Sequence, residues 1–256
     1  VCYLSSHDGC NRGCRMCHLT ATGQTSFKSA DATGYYYQAD EVFEHYKQQP
    51  KAEYMHFAFM ARGEPLANSA LLSSAPSVLA GLGNLALSYE LSAKFCVSTI
   101  FPRTLAKGFS LAHTFGYVQP TMYYSIYSVS EAFRSKWLPH ALPVADALRL
   151  LVDYQQHSKK LVKLHFALIA GENDSEHDIA ALCKAVEKAD LLCEVNIVRY
   201  NPATSDRGRE SDEATIANRA AQLRDCSHIR RVDVVQRVGF DVKASCGMFV
   251  GDEDFV

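Results

Sequence analysis

A partial, open (β/α)6 TIM-like barrel is the fold this sequence predicts, and three observations carry the prediction. Short β-rich apolar runs alternate with helical patterns along most of the 256 residues, and such alternation builds a parallel sheet covered by helices. About six units of this kind fit, short of the eight that close a barrel. A chain of this length also buries a large core without disulfides or metals to staple it, so one barrel accounts for all of it.

The strand runs fall at Tyr3–Ser6, Tyr54–Met60, Lys94–Thr99, Thr121–Tyr127, Val162–Ala170 and Glu194–Tyr200. Helical patterns fill the intervals at Ala39–Gln49, Ala70–Leu82, Ser130–Leu138, Val144–His157 and Ser175–Ala189. In the fourth of these, Leu148, Leu151, Val152 and Tyr154 recur close to helical spacing, with charges and amides on the other face. A charged helix near Glu210–Arg224 and a last strand near Val232–Arg237 follow. The barrel is therefore expected over residues 1–202, with 203–256 a C-terminal helix, strand and loop of the same compact domain. Thr204–Asp212 is the most loop-like stretch, and there is no internal repeat, low-complexity tract or long linker. Active sites of such folds lie at the carboxyl ends of the strands.

Composition excludes several classes. Apolar residues make up 48% of the chain and charged ones 21%, as in ordinary globular enzymes. No apolar run reaches the roughly 18–20 residues that span a bilayer, and no secretory signal is visible. A soluble cytoplasmic protein with no membrane partner is expected, and a monomer. The first residue is Val1 and not Met, so a truncated start is also expected. The net charge of −2 makes no global case for binding nucleic acid, although a local basic patch escapes such an average. Nine cysteines in a chain this large, three of them within eight residues, read as a metal site plus free thiols and not as a disulfide scaffold.

Those three form Cys10-Asn11-Arg12-Gly13-Cys14-Arg15-Met16-Cys17, spaced C-x3-C-x2-C. Soft thiolates on a short loop suit an iron–sulfur cluster or zinc. A structural zinc site takes four closed ligands, and only His18 follows nearby. Three cysteines on a 4Fe–4S cubane leave one iron open to a substrate or cofactor. Downstream, Arg62-Gly63-Glu64-Pro65 follows the second strand run. Glycine lets the backbone approach a ligand closely and a carboxylate suits an ammonium, although Gly-Glu-Pro is also a plain turn.

The cysteine loop after a first strand resembles the signature of the radical S-adenosylmethionine (SAM) superfamily. That resemblance implies a 4Fe–4S cluster on Cys10, Cys14 and Cys17 whose free iron chelates SAM, with Gly63 and Glu64 at the SAM amino group. Further motifs resemble the radical SAM adenosine methyltransferases of the RlmN and Cfr type, from Cys2 to about Gly247. Cys2 and Ser5-Ser6 stand before the cluster much as in C-V-S-S-x-x-G-C, with one extra residue. Gly23-Gln24 resembles the T/A-x-Q-x-G-F stretch, and Gly63-Glu64-Pro65-Leu66 with Asn68 matches G-E-P-L-x-N. Ser98-Thr99, Ser125-Ile126-Tyr127 with Arg134 and Pro139, Asn173-Asp174, Tyr200-Asn201-Pro202 and Ala244-Ser245-Cys246-Gly247 follow in the family's order.

The resemblance implies methylation of carbon 2 of an adenosine in ribosomal or transfer RNA. One SAM methylates Cys246, and a second, cleaved at the cluster, yields the radical that takes a hydrogen atom from the methylthio group. Cys2 would remove the ring proton and close a disulfide with Cys246. Ser98, Ser125 and Asn201 would contact SAM, and a flavodoxin or ferredoxin would supply electrons. Cys96, Cys183, Cys193 and Cys226 read as buried small hydrophobes, and the ten histidines as structural or surface residues.

The sequence also departs from that family. An amino-terminal accessory domain before Cys2 is expected to be absent or truncated, Tyr127 replaces a His, Arg199-Tyr200 replaces Pro-Trp, and Val238-Gly239-Phe240 replaces a more charged stretch. A radical SAM enzyme that abstracts hydrogen from a small molecule, nucleotide or peptide remains the alternative, and a non-catalytic iron–sulfur or zinc protein a third.

Overall fold

The computed structural model describes residues 1–47, 52–239 and 248. One parallel sheet of seven strands, in the order of the chain, forms its centre. The strands are β1 (Cys2–Tyr3), β2 (Tyr54–Phe59), β3 (Ser92–Thr99), β4 (Thr121–Tyr124), β5 (Val162–Ala167), β6 (Cys193–Val198) and β7 (Ile229–Val234). Each pairs in parallel with its successor, and no β1–β7 pairing occurs among the described residues. The barrel is open, as expected. It has a seventh strand in the sheet where the sequence suggested about six units and a terminal extension.

Between the strands run α1 (His18–Ala21), α2 (Ala32–Tyr46), α3 (Ser69–Ser88), α4 (Leu111–Phe115), α5 (Glu131–Trp137), α6 (Val144–Ser158), α7 (Glu176–Ala189) and α8 (Glu213–Arg224). The cap chemistry explains several boundaries. Ser175 and Asp178 form a reciprocal capping box on α7, satisfying amides that the first turn leaves unpaired. Its stripe of Ile179, Leu182 and Val186 is buried. Helix α2 starts seven residues before the expected Ala39, where Asp31 accepts from the Gly34 amide at 2.9 Å. Its Tyr35-Tyr36-Tyr37 opening is a poor helix former by propensity, but Tyr35 is fully buried with its ring edge-on to Phe59. Helix α4 is too short to show a period.

Helix α3 runs longer than the expected Ala70–Leu82 pattern. It is 20 residues long with a mean hydropathy of 1.4, long and apolar enough to cross a membrane by length and composition. Its Leu71, Ala75, Val78, Leu79, Leu82 and Ala86 are buried and pack in the main core with Phe57 and Val97 of the sheet.

Strand side chains alternate between faces. Phe57, Phe59, Val97, Tyr124, Leu164, Phe166, Val195 and Ile197 enter the core beneath the helices. On the opposite face of β2–β5, toward their amino ends, His56, Lys94, Tyr123 and Lys163 line a cavity of about 530 Å3, and Lys163 pairs with Glu194 at 3.0 Å. At the carboxyl ends, the runs expected to continue β4, β5 and β6 leave the ladder. They stay apolar because Tyr127, Ile169 and Tyr200, together with Ile100 after β3 and Val198 at the end of β6, pack with Trp137 and Met16 into a second core. That core supports the loops of the site.

Candidate functional site

The cysteine loop is fixed by backbone contacts on both sides. The Cys10 amide donates to the Gln24 carbonyl at 3.0 Å, and a Cβ on Gly9 would lie 2.5 Å from that same oxygen. The Arg15 amide donates to the Trp137 carbonyl at 2.9 Å, and its guanidinium lies 5.6 Å from that indole. Beyond Cys17 the chain turns into α1, where His18 Nε2 meets the Asn201 carbonyl at 2.9 Å. Cys10, Cys14 and Cys17 thereby line one small cavity with Gly63, Glu64 and Ile100.

Burial pushes the Cys10 thiol up to about 12, with Cys17 and Glu64 adding to the rise. Burial likewise raises Cys14 well above its ordinary value, reinforced by the other two thiols, and raises Cys17. Three thiols that repel one another as anions thus line one cavity. Among the described residues no group of three or more Cys, His, Asp or Glu is placed to hold a metal ion. Three thiols spread around a cavity with no fourth protein ligand fit a larger inorganic core with one open corner.

Glu64 divides this cavity from a larger one. It is 4% exposed, and its Oε1 accepts from the Leu66 amide at 3.0 Å and the Thr99 hydroxyl at 2.6 Å. Oε2 accepts from the Ile100 amide at 3.0 Å. Burial lifts its pKa to about 7 against these hydrogen bonds, which pull it down. A carboxylate has about four acceptor positions, so capacity remains on Oε2. Gly63 has φ +87°, and a Cβ there would fall 2.5 Å from His7 Nδ1. The glycine is thus required by His7, which is stacked on Phe27 with ring centroids 3.7 Å apart. Burial, then the Arg12 charge, holds His7 neutral with a pKa of about 4.

The larger pocket, of about 260 Å3, shares Gly63, Glu64 and Ile100 with the cysteine cavity and adds Ser98, Ser125, Tyr127 and His165. The Ser98 and Ser125 hydroxyls stand 3.4 Å apart. The pocket also spans the open side of the barrel, from Tyr3 on β1 to Val235, Gln236 and Val238 after β7.

The structure thus brings together Cys10, Cys14, Cys17, Gly63, Glu64, Ser98 and Ser125. It does not bring the other three. Asn201 is 3% exposed and lies outside the pocket lining; its Oδ1 accepts from Arg237, which also pairs with Glu210 at 2.7 Å. Cys2 is fully buried in the main core, against the expectation that it faces the substrate. Cys246 lies outside the described residues.

Sequence reasoning missed Tyr3 and His165, which line the pocket. The signal for His165 is strand alternation, since it sits two residues from Lys163 on the inward face. Other motif matches act as braces. Asn68 donates to the Ser6 and Ala30 carbonyls, both at 2.8 Å. Arg134 donates to the Ile126 and Leu142 carbonyls at 3.0 and 2.7 Å. Asn173 donates to the Tyr127 carbonyl at 2.9 Å and accepts from the Ile169 amide at 2.7 Å. Each holds a loop at the carboxyl end of the sheet.

No model of a known protein family matches the chain. Individual relatives do. It is 27% identical to the ribosomal RNA large subunit methyltransferase Cfr of Lachnoclostridium phytofermentans, over 98% of this chain and 70% of that one. It is 28% identical to the probable dual-specificity RNA methyltransferase RlmN of Gloeobacter violaceus, over 96% of this chain and 66% of that one. The crystal structure of a radical SAM methyltransferase from Sphaerobacter thermophilus superposes with a TM-score of 0.77 at 21% identity, covering 96% of this chain and 68% of that one. The likeness to RlmN and Cfr that the motifs carry therefore extends along nearly the whole chain, and the open barrel shares the fold of that crystal structure.

Proposed function

We propose that this chain is a radical SAM RNA methyltransferase that acts on carbon 2 of an adenosine in ribosomal or transfer RNA through a methylated Cys246. The observation that carries the reading is the shared wall of the two cavities. Cys10, Cys14 and Cys17 face one side of Gly63, Glu64 and Ile100, and Ser98 and Ser125 face the other. When bound, a 4Fe–4S cluster supplies the electron that cleaves SAM to methionine and a 5′-deoxyadenosyl radical. The remaining work falls to the protein's own groups. Cys10, Cys14 and Cys17 hold the cluster as thiolates, and the free acceptor capacity of Glu64 suits the SAM ammonium. The paired hydroxyls of Ser98 and Ser125 suit its ribose or carboxylate.

Phosphate contacts are supplied by the loops after β1, β2 and β3. These carry Arg12, Arg15, Lys28, Arg62, Arg103 and Lys107, against Asp8, Asp31 and Glu64. Such positive charge positions RNA on the enzyme without reading its sequence. The test is anaerobic reconstitution with iron and sulfide, then incubation with SAM, a flavodoxin or ferredoxin reducing system and unmodified ribosomal or transfer RNA. Nucleoside mass spectrometry should find 2-methyladenosine together with 5′-deoxyadenosine. The radical product without a methylated base would move the target to a small molecule, nucleotide or peptide; neither product would overturn the reading.

A further inference from the structure

We infer that Tyr3, and not Cys2, is the β1 residue that meets the substrate; the inference rests on the methyltransferase reading above. Successive side chains of a strand go to opposite faces, and β1 shows this directly. Cys2 pairs in register with Phe57 and Tyr3 with Ala58. Cys2 and Leu4 are both 0% exposed, whereas Tyr3 between them is 48% exposed. Cys2 and Leu4 belong to the core that holds Tyr35, Phe43, Phe57 and Phe59, which is the face covered by α2. Tyr3 lines the pocket that contains Glu64, Ser98 and Ser125.

The cause is visible in the spacing. Seven residues separate Cys2 from Cys10, where C-V-S-S-x-x-G-C has six. Because the side-chain period is two, a single added residue moves the thiol from the pocket face to the core face. Counting back from Cys10 through Gly9, Ser6 and Ser5, the residue in the cysteine's place is Tyr3. A slip that restored Cys2 to the pocket is opposed on both sides. The Leu4 amide donates to the Ala58 carbonyl and the Ser6 amide to the Arg62 carbonyl, both at 2.8 Å. Such a slip would also push the Tyr3 ring into space now filled by a cysteine. Burial raises the Cys2 thiol to about 11, which disfavours the thiolate that nucleophilic or disulfide chemistry needs.

In the thiol's place stands an aromatic ring at the mouth of the open barrel. The chemistry that recognises it is a flat heteroaromatic base turned out of its stack. Tyr3 is thus a positioning residue for the base and Cys2 a core residue.

Two measurements test this. The first is alkylation of the folded protein by iodoacetamide, followed by peptide mapping. Cys2 should stay unmodified until the chain is unfolded, and a thiol introduced by Tyr3→Cys in a Cys2→Ala background should be labelled without unfolding. Labelling of native Cys2 as fast as the introduced thiol would overturn the placement. The second is turnover. Cys2→Ala should match the wild-type protein in 5′-deoxyadenosine formation and in its yield of methylated base and of any covalent RNA–protein adduct. Tyr3→Ala should lose about tenfold or more in kcat/KM for RNA while 5′-deoxyadenosine still forms, and Tyr3→Phe should restore it. Methylation lost, or an adduct accumulated, in folded Cys2→Ala but not in the wild-type protein would overturn the inference. If the wild-type protein methylates no RNA, the methyltransferase reading falls, and the alkylation result still decides which residue faces the pocket.

Discussion

Thr99 and Glu64 are joined by a 2.6 Å hydrogen bond across 35 residues of chain. The same Thr99 hydroxyl oxygen accepts from the Phe101 amide at 2.8 Å. One hydroxyl therefore ties the end of β3 to the loop after β2, at the wall between the cysteine cavity and the larger pocket.

Removing that hydroxyl should leave the buried Phe101 amide without its acceptor and one Glu64 oxygen short of a donor. Thr99→Val is expected to cost about 2–3 kcal/mol of stability, measured by urea unfolding of the cluster-free protein. Glu64→Ala strands the Leu66 and Ile100 amides and the Thr99 hydroxyl together, and should cost more than Thr99→Val in the same assay. An unchanged urea midpoint for Glu64→Ala would mean that these hydrogen bonds do not hold the wall.

Iron content separates cluster ligation from SAM binding. Reconstituted wild-type protein should hold about four irons and four sulfides. Alanine at Cys10, Cys14 or Cys17 should abolish reductive SAM cleavage. A triple alanine variant that forms 5′-deoxyadenosine at the wild-type rate would refute the cluster assignment.

The paired serines should act on SAM and not on the metal. Ser98→Ala and Ser125→Ala are each expected to weaken SAM binding by about three- to tenfold, the value of one net hydrogen bond, with iron content unchanged. Equilibrium dialysis with labelled SAM reads the affinity. Unaltered affinity in both variants would leave the two hydroxyls as a structural pair only.

Cys246 should carry an additional CH2 in protein from SAM-replete cells, visible by peptide mass spectrometry. Cys246→Ala should retain 5′-deoxyadenosine formation and lose RNA methylation. Methylation that survives in Cys246→Ala would rule out the methylcysteine route.

His165 gives a pH dependence of stability. Burial lowers its pKa from 6.5 to about 4, so the folded protein favours the neutral ring. That contribution is complete above pH 6.5 and is lost progressively as the pH falls from 6.5 toward 4, because the unfolded chain takes up the proton first. At about 1.4 kcal/mol per pKa unit, wild type should lose more stability than His165→Asn between pH 7 and pH 4.5. Parallel urea midpoints for the two proteins across that range would show that His165 already titrates normally in the fold.

Much of this molecule is legible from short-range pattern. Alternating apolar runs and helical periods report the parallel sheet, because each strand must bury one face and each helix one stripe. The C-x3-C-x2-C loop reports three thiols that line one cavity, because loop spacing alone keeps them close. The Gly-Glu pair after the second strand reports a site residue for a similar reason. The signals that misled are those in which one physical cause serves two ends. The apolar continuations of β4, β5 and β6 are loops packed on the second core. Only the tertiary structure decided which way each side chain of β1 points. Cys2 and Tyr3 are neighbours in sequence, and either could serve a pocket. The register against Phe57 and Ala58 sends Cys2 under α2 and Tyr3 into the open barrel. The same holds for Glu64, whose carboxylate is spent largely on Leu66, Thr99 and Ile100. Hydrogen bonds between residues this far apart in the chain exist only once β2 and β3 have paired, so no local pattern encodes them.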